Sequence, residues 1–288
     1  MSERVESKPD WLKVRLADWQ AFGETEEIVE THGLNTVCFS AHCPNIAECW
    51  GRGTATIMLL GNVCTRSCGF CAVLSGKPPA YDPHEPARVA QAVKRMRLRF
   101  AVLTSVARDD LPDGGAWVFA ESIRAIRREC PGVGVEVLIP DFLGSEEHLD
   151  TVLDAAPDVL NHNIETVRRL QKQVRPSARY ERSMQVLRRA AARGLVAKSG
   201  IMLGLGETDD EVRETLRDLR EQGAEMVTIG QYLAPDDEHL PVERYAHPDE
   251  FAALNRYARE LGFVHVESGP LVRSSYHADA APVAQRQD

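Results

Sequence analysis

The sequence lacks a long hydrophobic run, an excess of basic charge and an even, dispersed set of cysteines. Each absence removes a class of function. The longest apolar stretch, TATIMLLG from Thr54 to Gly61, has the length of a buried strand; roughly 20 residues are needed to span a bilayer. No membrane partner is expected. Lys and Arg total 34 against 43 Asp and Glu, a net charge of −9. Phosphate backbones demand a basic footprint, so no nucleic-acid partner is expected either. One basic run, KRMRLR from Lys94 to Arg99, reads as a solvated helix face, with a docking patch for an acidic protein as the alternative. The opening segment MSERVESKPDW carries both charge signs. It resembles neither a secretory signal nor an Arg-rich transit peptide, and a cytoplasmic location is the expectation.

Seven cysteines are present, and six lie between positions 38 and 71. A disulfide framework does not fit a reducing compartment. Clustered cysteines in an intracellular chain point to metal.

Three zones are expected: an extension over 1–53, a βα-repeating body over 54–266 and a short tail over 267–288. Strand candidates in the body are TIMLLG, AVLTSV, VGVEVLIP, DVLNHNI, AKSGIMLGL, EMVTIGQYL and, from Phe263, FVHVES. They are rich in β-branched residues and mostly uninterrupted, as strands covered on both faces should be. Between them run helical patterns. Val89, Val93, Met96 and Phe100 share one face, and so do Val212, Leu216 and Leu219. Thr208 and Glu211 form a candidate capping box, and Pro248 suits a helical first turn. Alternation of β and α elements implies a parallel sheet. The fold expected is α/β, an incomplete (β/α)6-type TIM barrel with an N-terminal cluster-binding extension and a short C-terminal tail. Reactive groups should lie at the carboxyl ends of the strands.

Two triads carry the chemistry. Cys64, Cys68 and Cys71 stand in C-x3-C-x2-C spacing directly after the first strand. A 4Fe–4S cube has four irons with thiolates as usual ligands, so three cysteines leave one iron open to substrate. A zinc knuckle completed by a distant His is the competing reading, although zinc sites favour paired C-x2-C units. Cys38, Cys43 and Cys49 form a second triad in C-x4-C-x5-C spacing.

CTRSCGFC, with Phe70 at its aromatic position, resembles the C-x3-C-x-aromatic-C signature of radical S-adenosylmethionine enzymes. The second triad and the tail RSSYHA (Arg273 to Ala278), with the blocks LTSVARDDLPDGG, NHNIET, QVRP and KSGIMLGLGET between them, resemble lipoyl synthases over nearly the whole chain. The resemblance implies a transferase of lipoate biosynthesis and protein lipoylation. Such an enzyme inserts two sulfur atoms, at C6 and C8 of an octanoyl chain on a carrier lysine, to give lipoyl-lysine. It implies two 4Fe–4S clusters and two S-adenosyl-L-methionine molecules per product. Cys64, Cys68 and Cys71 would hold the radical-generating cluster; Cys38, Cys43, Cys49 and a tail serine would hold an auxiliary cluster spent as sulfur donor. Of Ser274 and Ser275, the resemblance points to Ser275. A hard oxygen ligand would be lost early while three thiolates keep their grip.

Phe70, Asn163, Glu165, Lys198 and Glu207 are candidate cofactor contacts, and Arg273 and Ser274 candidate neighbours of substrate or cluster. GLGET equally suits a tight βα turn. The polar residues of NHNIET equally suit a buried hydrogen-bond network, and those of LTSVARDD a structural ion pair. Cys130, alone before a Pro-Gly turn, reads as incidental. No acid–base constellation competes with a radical, and an unactivated C–H bond offers no acidic proton. Implied partners are octanoylated lipoyl domains of 2-oxoacid dehydrogenases or the glycine cleavage H protein, reduced ferredoxin or flavodoxin as electron donor, and a cluster-repair carrier. The alternatives are a biotin synthase-like or methylthiotransferase-like enzyme and, from another class, a two-cluster electron carrier.

Overall fold

The computed structural model describes residues 9–12, 19–40, 43–51 and 55–278. Along the chain come α1 (Trp19–Thr31), β1 (Asn35–Thr36), α2 (Val37–Ser40), α3 (Ile46–Gly51), β2 (Thr56–Leu59), β3 (Val63–Cys64) and β4 (Leu74–Ser75). Then follow α4 (Glu85–Arg95), β5 (Phe100–Ser105), α5 (Ala116–Glu129), β6 (Gly134–Leu138), α6 (Glu146–Leu153), β7 (Val159–Asn161), α7 (Gln171–Val174) and α8 (Tyr180–Ala192). The last elements are β8 (Val196–Leu203), α9 (Asp209–Glu221), β9 (Ala224–Gln231), α10 (Pro248–Glu260) and β10 (His265–Gly269). By contacts the chain divides into two compact units. The first holds the described residues of 15–66 and 72–161 together with 277–278, the second those of 1–14, 67–71 and 162–276.

In the first unit the strands run β1-β2-β5-β6-β7. β1 is antiparallel to β2; the rest pair in parallel. Parallel neighbours need a crossover, which α4, α5 and α6 supply. β2 is buried at every position and β5 at all but its last, which explains their unbroken apolar sequence. Val89 and Val93 of α4 and Phe119, Ile123 and Ile126 of α5 are fully buried, while Lys94 and Arg95 end α4 in solvent. The expected strand TIMLLG stops at Leu59 because Leu60 and Gly61 take positive φ, 68° and 90°. The Leu60 N–H then goes to the buried Glu85 carboxylate, 2.9 Å away.

In the second unit β8, β9 and β10 are parallel, in that order. Thr208 and Glu211 exchange side-chain and backbone bonds at the start of α9, the expected capping box. At α10 His247 Nδ1 accepts the Asp249 N–H, and Glu250 returns a bond to the His247 N–H. The architecture is α/β with mostly parallel pairing, the arrangement of an incomplete (β/α)6-type barrel. The extension, featureless in sequence, is built from α1, β1, α2 and α3. β1, α2 and α3 are short, and Ile28, Val29 and Leu34 are buried. Among the described residues no helix is long and apolar enough to cross a membrane.

Candidate cluster and cofactor sites

Cys64 ends β3, and the loop it opens returns at β4, which pairs in parallel with β3. The Gly76 N–H donates to the Cys64 carbonyl at 2.9 Å. The chain between is thus a closed loop. Cys64 Sγ accepts two backbone N–H groups, from Arg66 at 3.4 Å and Ala107 at 3.3 Å. Such bonds tune a cluster sulfur. Thr65 is tied to the Ala107 carbonyl by both its N–H and its hydroxyl, each at 3.0 Å. The buried Arg66 guanidinium grips Asp109 bidentately, at 2.7 and 2.8 Å, and meets Asp141 at 2.7 Å. Burial works against its charge, but the two carboxylates outweigh it and hold its pKa above the usual arginine value. Arg108 is paired with Asp110 at 2.8 and 2.9 Å. The structure therefore shows LTSVARDD carrying ion pairs, one of which anchors the ligand loop.

In the second unit, Cys68 to Cys71 is held by other means. The Cys71 N–H donates to the Cys68 carbonyl at 3.1 Å, and the Gly69 N–H donates to Val174 at 2.9 Å. The Leu240 N–H donates to the Gly69 carbonyl at 2.9 Å. Phe70 is half-buried.

Cys38 sits on α2 and Cys49 on α3. Cys38, the fully buried Trp50 and Ala55 form one apolar cluster, against which Cys43, Ile46, Cys49 and Met96 pack. The Cys43 N–H donates to the Cys38 carbonyl at 3.0 Å, and the Cys49 N–H donates to Asn45 at 2.9 Å. All three thiols therefore adjoin one cluster. Burial, reinforced by neighbouring Cys43, pushes the Cys38 thiol up. A thiolate there needs an adjoining cation, as a metal supplies. Among the described residues no three His, Cys, Asp or Glu side chains are placed to share a single ion. A cube presents a separate iron to each thiolate and sets no such requirement.

The tail turns at residues 273–276, where the Tyr276 N–H donates to the Arg273 carbonyl at 2.9 Å. Ser274 and Ser275 are both half-buried. Arg273 Nη1 donates to the Val272 carbonyl at 2.7 Å. That carbonyl lies directly over Gly230 of β9, where no Cβ would fit.

Of the cofactor candidates, Asn163 and Glu165 come together: Asn163 Nδ2 donates to Glu165 at 3.0 Å. Glu165 has a left-handed φ of 64°, uncommon for a non-glycine residue and concentrated at functional sites. Burial raises its carboxyl pKa, with Arg175 and Asn163 opposing. A Cβ on Gly200 would sit 2.7 Å from Thr228 Oγ1 and 2.8 Å from Asn163 Oδ1, so glycine is required. Asn163 Oδ1 and Ser105 Oγ are buried without a hydrogen-bond partner among the described residues, and a ligand would satisfy such groups. Lys198 is buried on β8. Glu207 stands apart: its oxygens accept the N–H groups of Gly204 and Leu205 at 2.7 and 2.8 Å, bracing its own turn.

A Radical SAM superfamily model matches residues 58–219. A lipoyl synthase of Rubrobacter xylanophilus is 59% identical over 94% of this chain and 85% of its own. One from Chlorobaculum tepidum is 58% identical over 95% of both chains. The chain belongs to the lipoyl synthase family, within the radical S-adenosylmethionine superfamily. It is an enzyme of that type. The fold is also that of solved methylornithine synthase, with TM-score 0.53 and 12% identity over 88% of this chain and 79% of that one. Membership brings two 4Fe–4S clusters and S-adenosylmethionine as cofactors, and a protein-bound octanoyl group as substrate. The donor sets fit. The Cys64 sulfur already receives the N–H bonds suited to a thiolate ligand, and the extension thiols line one apolar cluster.

Two residues in this lipoyl synthase family member escaped sequence reasoning, Asp141 and His239. Asp141 looked like part of an ordinary strand end, IPDFLG. Its one available signal was an Asp beside two φ-positive residues, Phe142 and Leu143, a feature that only the backbone reveals. His239 lies in an irregular stretch with no motif of its own.

Proposed function

We propose that this chain inserts two sulfur atoms at C6 and C8 of an octanoyl-lysine on a carrier protein, giving lipoyl-lysine. The near-full-length identity to lipoyl synthases, joined to two separately built cysteine triads, carries this reading. Carriers would be lipoyl domains of 2-oxoacid dehydrogenases or the glycine cleavage H protein. Reduced ferredoxin or flavodoxin would supply electrons, and a cluster-repair carrier would rebuild what is spent. The reaction is assigned to the cytoplasm. The three zones 1–53, 54–266 and 267–288 serve as auxiliary-ligand extension, radical body and ligand-bearing tail.

We assign Cys64, Cys68 and Cys71 to one cluster and Cys38, Cys43, Cys49 and Ser275 to the other. When bound, these groups supply an electron to S-adenosylmethionine, hydrogen abstraction from a saturated carbon, and sulfur. The chain itself binds and orients. Asn163, Glu165 and Lys198 offer polar contacts to the cofactor, and Phe70 an aromatic one. Arg273 and Ser274 stand beside the proposed serine ligand. Buried Arg66 keeps the Cys64 loop fixed. No group with acid–base geometry is needed, because a C–H bond on a saturated chain is broken homolytically.

The test is anaerobic incubation with reductant, S-adenosylmethionine and an octanoylated carrier peptide. 5′-Deoxyadenosine and a doubly thiolated peptide are expected. Their joint absence, in protein holding about eight irons and about eight sulfides, would refute the reading.

A further inference from the structure

The segment between β9 and α10, residues 232–247, has no regular structure. It nevertheless lies along the cluster loop. The Leu240 N–H donates to the Gly69 carbonyl, and the Leu240 side chain covers Gly69 so closely that a Cβ there would lie 2.9 Å from it. His239 Nε2 is 3.0 Å from the Cys71 carbonyl oxygen, and its Nδ1 is 2.6 Å from Asp236 Oδ1. Tyr232, nearly fully buried, donates its hydroxyl to the Leu240 carbonyl at 2.7 Å. From the other side the Gly69 N–H is held by Val174. Two of the four residues Cys68–Cys71 thus have their backbone fixed from outside the loop, and His239 is oriented by a carboxylate in the manner of a positioned ligand support.

We propose that His239 is a positioning residue for the radical-generating cluster. Oriented by Asp236, it fixes the Cys71 carbonyl and so sets the Cys68–Cys71 half of the ligand loop before the cube arrives. This rests on Cys64, Cys68 and Cys71 holding a cluster. The ring touches neither S-adenosylmethionine nor a reacting atom in this role. It acts through the backbone of Cys71, which no motif would reveal because the contact joins residues 168 positions apart. A loop with two of its carbonyls tied enters the bound geometry with less entropy left to lose.

The experiment compares reconstituted wild-type protein with His239→Ala, His239→Gln and Asp236→Asn. Three readouts are taken: chelator-driven iron release, the electron paramagnetic resonance spectrum of the reduced protein with and without S-adenosylmethionine, and the denaturation midpoint. His239→Ala should release the iron of one cluster about tenfold faster, the scale of one hydrogen bond, and should alter the cofactor-dependent spectrum. The other cluster should be retained at the wild-type rate. His239→Gln, which keeps an N–H for the Cys71 carbonyl, should restore most of the retention, and Asp236→Asn should show a smaller acceleration. Wild-type release and an unchanged spectrum in His239→Ala would overturn the proposal. Should that variant be insoluble, unchanged release in Asp236→Asn overturns it instead. A wild-type protein binding no cluster at Cys64, Cys68 and Cys71 would refute the family assignment of that site, a distinct outcome.

Discussion

Cys64 and Cys38 are both candidate thiolate ligands, but the chain supports them differently. Cys64 lies in a loop closed by a short strand pair, with two N–H groups on its sulfur and a buried Arg66–Asp109–Asp141 triad beside it. Cys38 lies on a four-residue helix and rests on Trp50 and Ala55. Polar, directional anchoring preserves one geometry through many cycles. Apolar packing specifies a place and tolerates rearrangement at it. The first suits a cluster that must persist and pass electrons, the second a cluster that must come apart. The comparison fails if either triad can replace the other.

The largest expected effect tests that division directly. Cys68→Ala should reduce 5′-deoxyadenosine formation to below detection. Cys43→Ala should leave cofactor cleavage measurable while abolishing the thiolated product. Chromatography of the nucleoside and mass spectrometry of the peptide read both. If Cys43→Ala stops cleavage as well, the two sites are not separate in function.

Next come the supports themselves. Arg66→Met leaves Asp109 and the fully buried Asp141 without their partner. Breaking a buried pair in this way costs about 3–5 kcal/mol, read by urea denaturation, and it should loosen the cluster at Cys64, Cys68 and Cys71 first. Trp50→Ala empties the apolar cluster at a similar cost, about 3–5 kcal/mol, and should loosen the extension's cluster first. Equal loss of both clusters in both variants would break the comparison.

The sequence disclosed these two foundations unequally. Strands and their order were legible because burial on both faces demands long β-branched runs, as in β2 and β5. The Thr208–Glu211 box and Pro248 were legible because capping is local. The partner of Arg66 was not: an ion pair joining residues 75 positions apart leaves no period, and Asp141 is no different from any strand-end Asp until the backbone turns left-handed at Phe142. Helices α2 and α3 of the extension were missed because segments of four and six residues cannot display a 3.6-residue repeat.

A smaller effect is expected where the tail meets β9. Gly230→Ala places a methyl against the Val272 carbonyl, a backbone atom that cannot swing aside. Overpacking of this kind costs about 1–3 kcal/mol. Because Ser275 follows on the same tail, thiolated product should fall further than 5′-deoxyadenosine. A parallel fall in both would show that the tail supports the whole body and not one cluster.

The smallest effect concerns an exposed polar anchor, the counterpart of buried Arg66. Glu211 caps α9 and accepts two bonds from Arg169, at 2.6 and 2.9 Å. Arg169 first, and the Thr208 N–H next, hold the Glu211 carboxyl down to about 2. An unfolded Glu titrates near 4.3. A depressed carboxyl stabilises the fold fully above the unfolded value, and that contribution disappears as pH falls through the folded one. Solvent screening keeps it to about 1 kcal/mol or less. Glu211→Gln should therefore lower the denaturation midpoint slightly at pH 6, and the gap to wild type should narrow between about pH 5 and pH 2. A gap that stayed constant over that window would mean the cap acts through geometry alone. The contrast between exposed and buried ion pairs would then rest on Arg66 by itself.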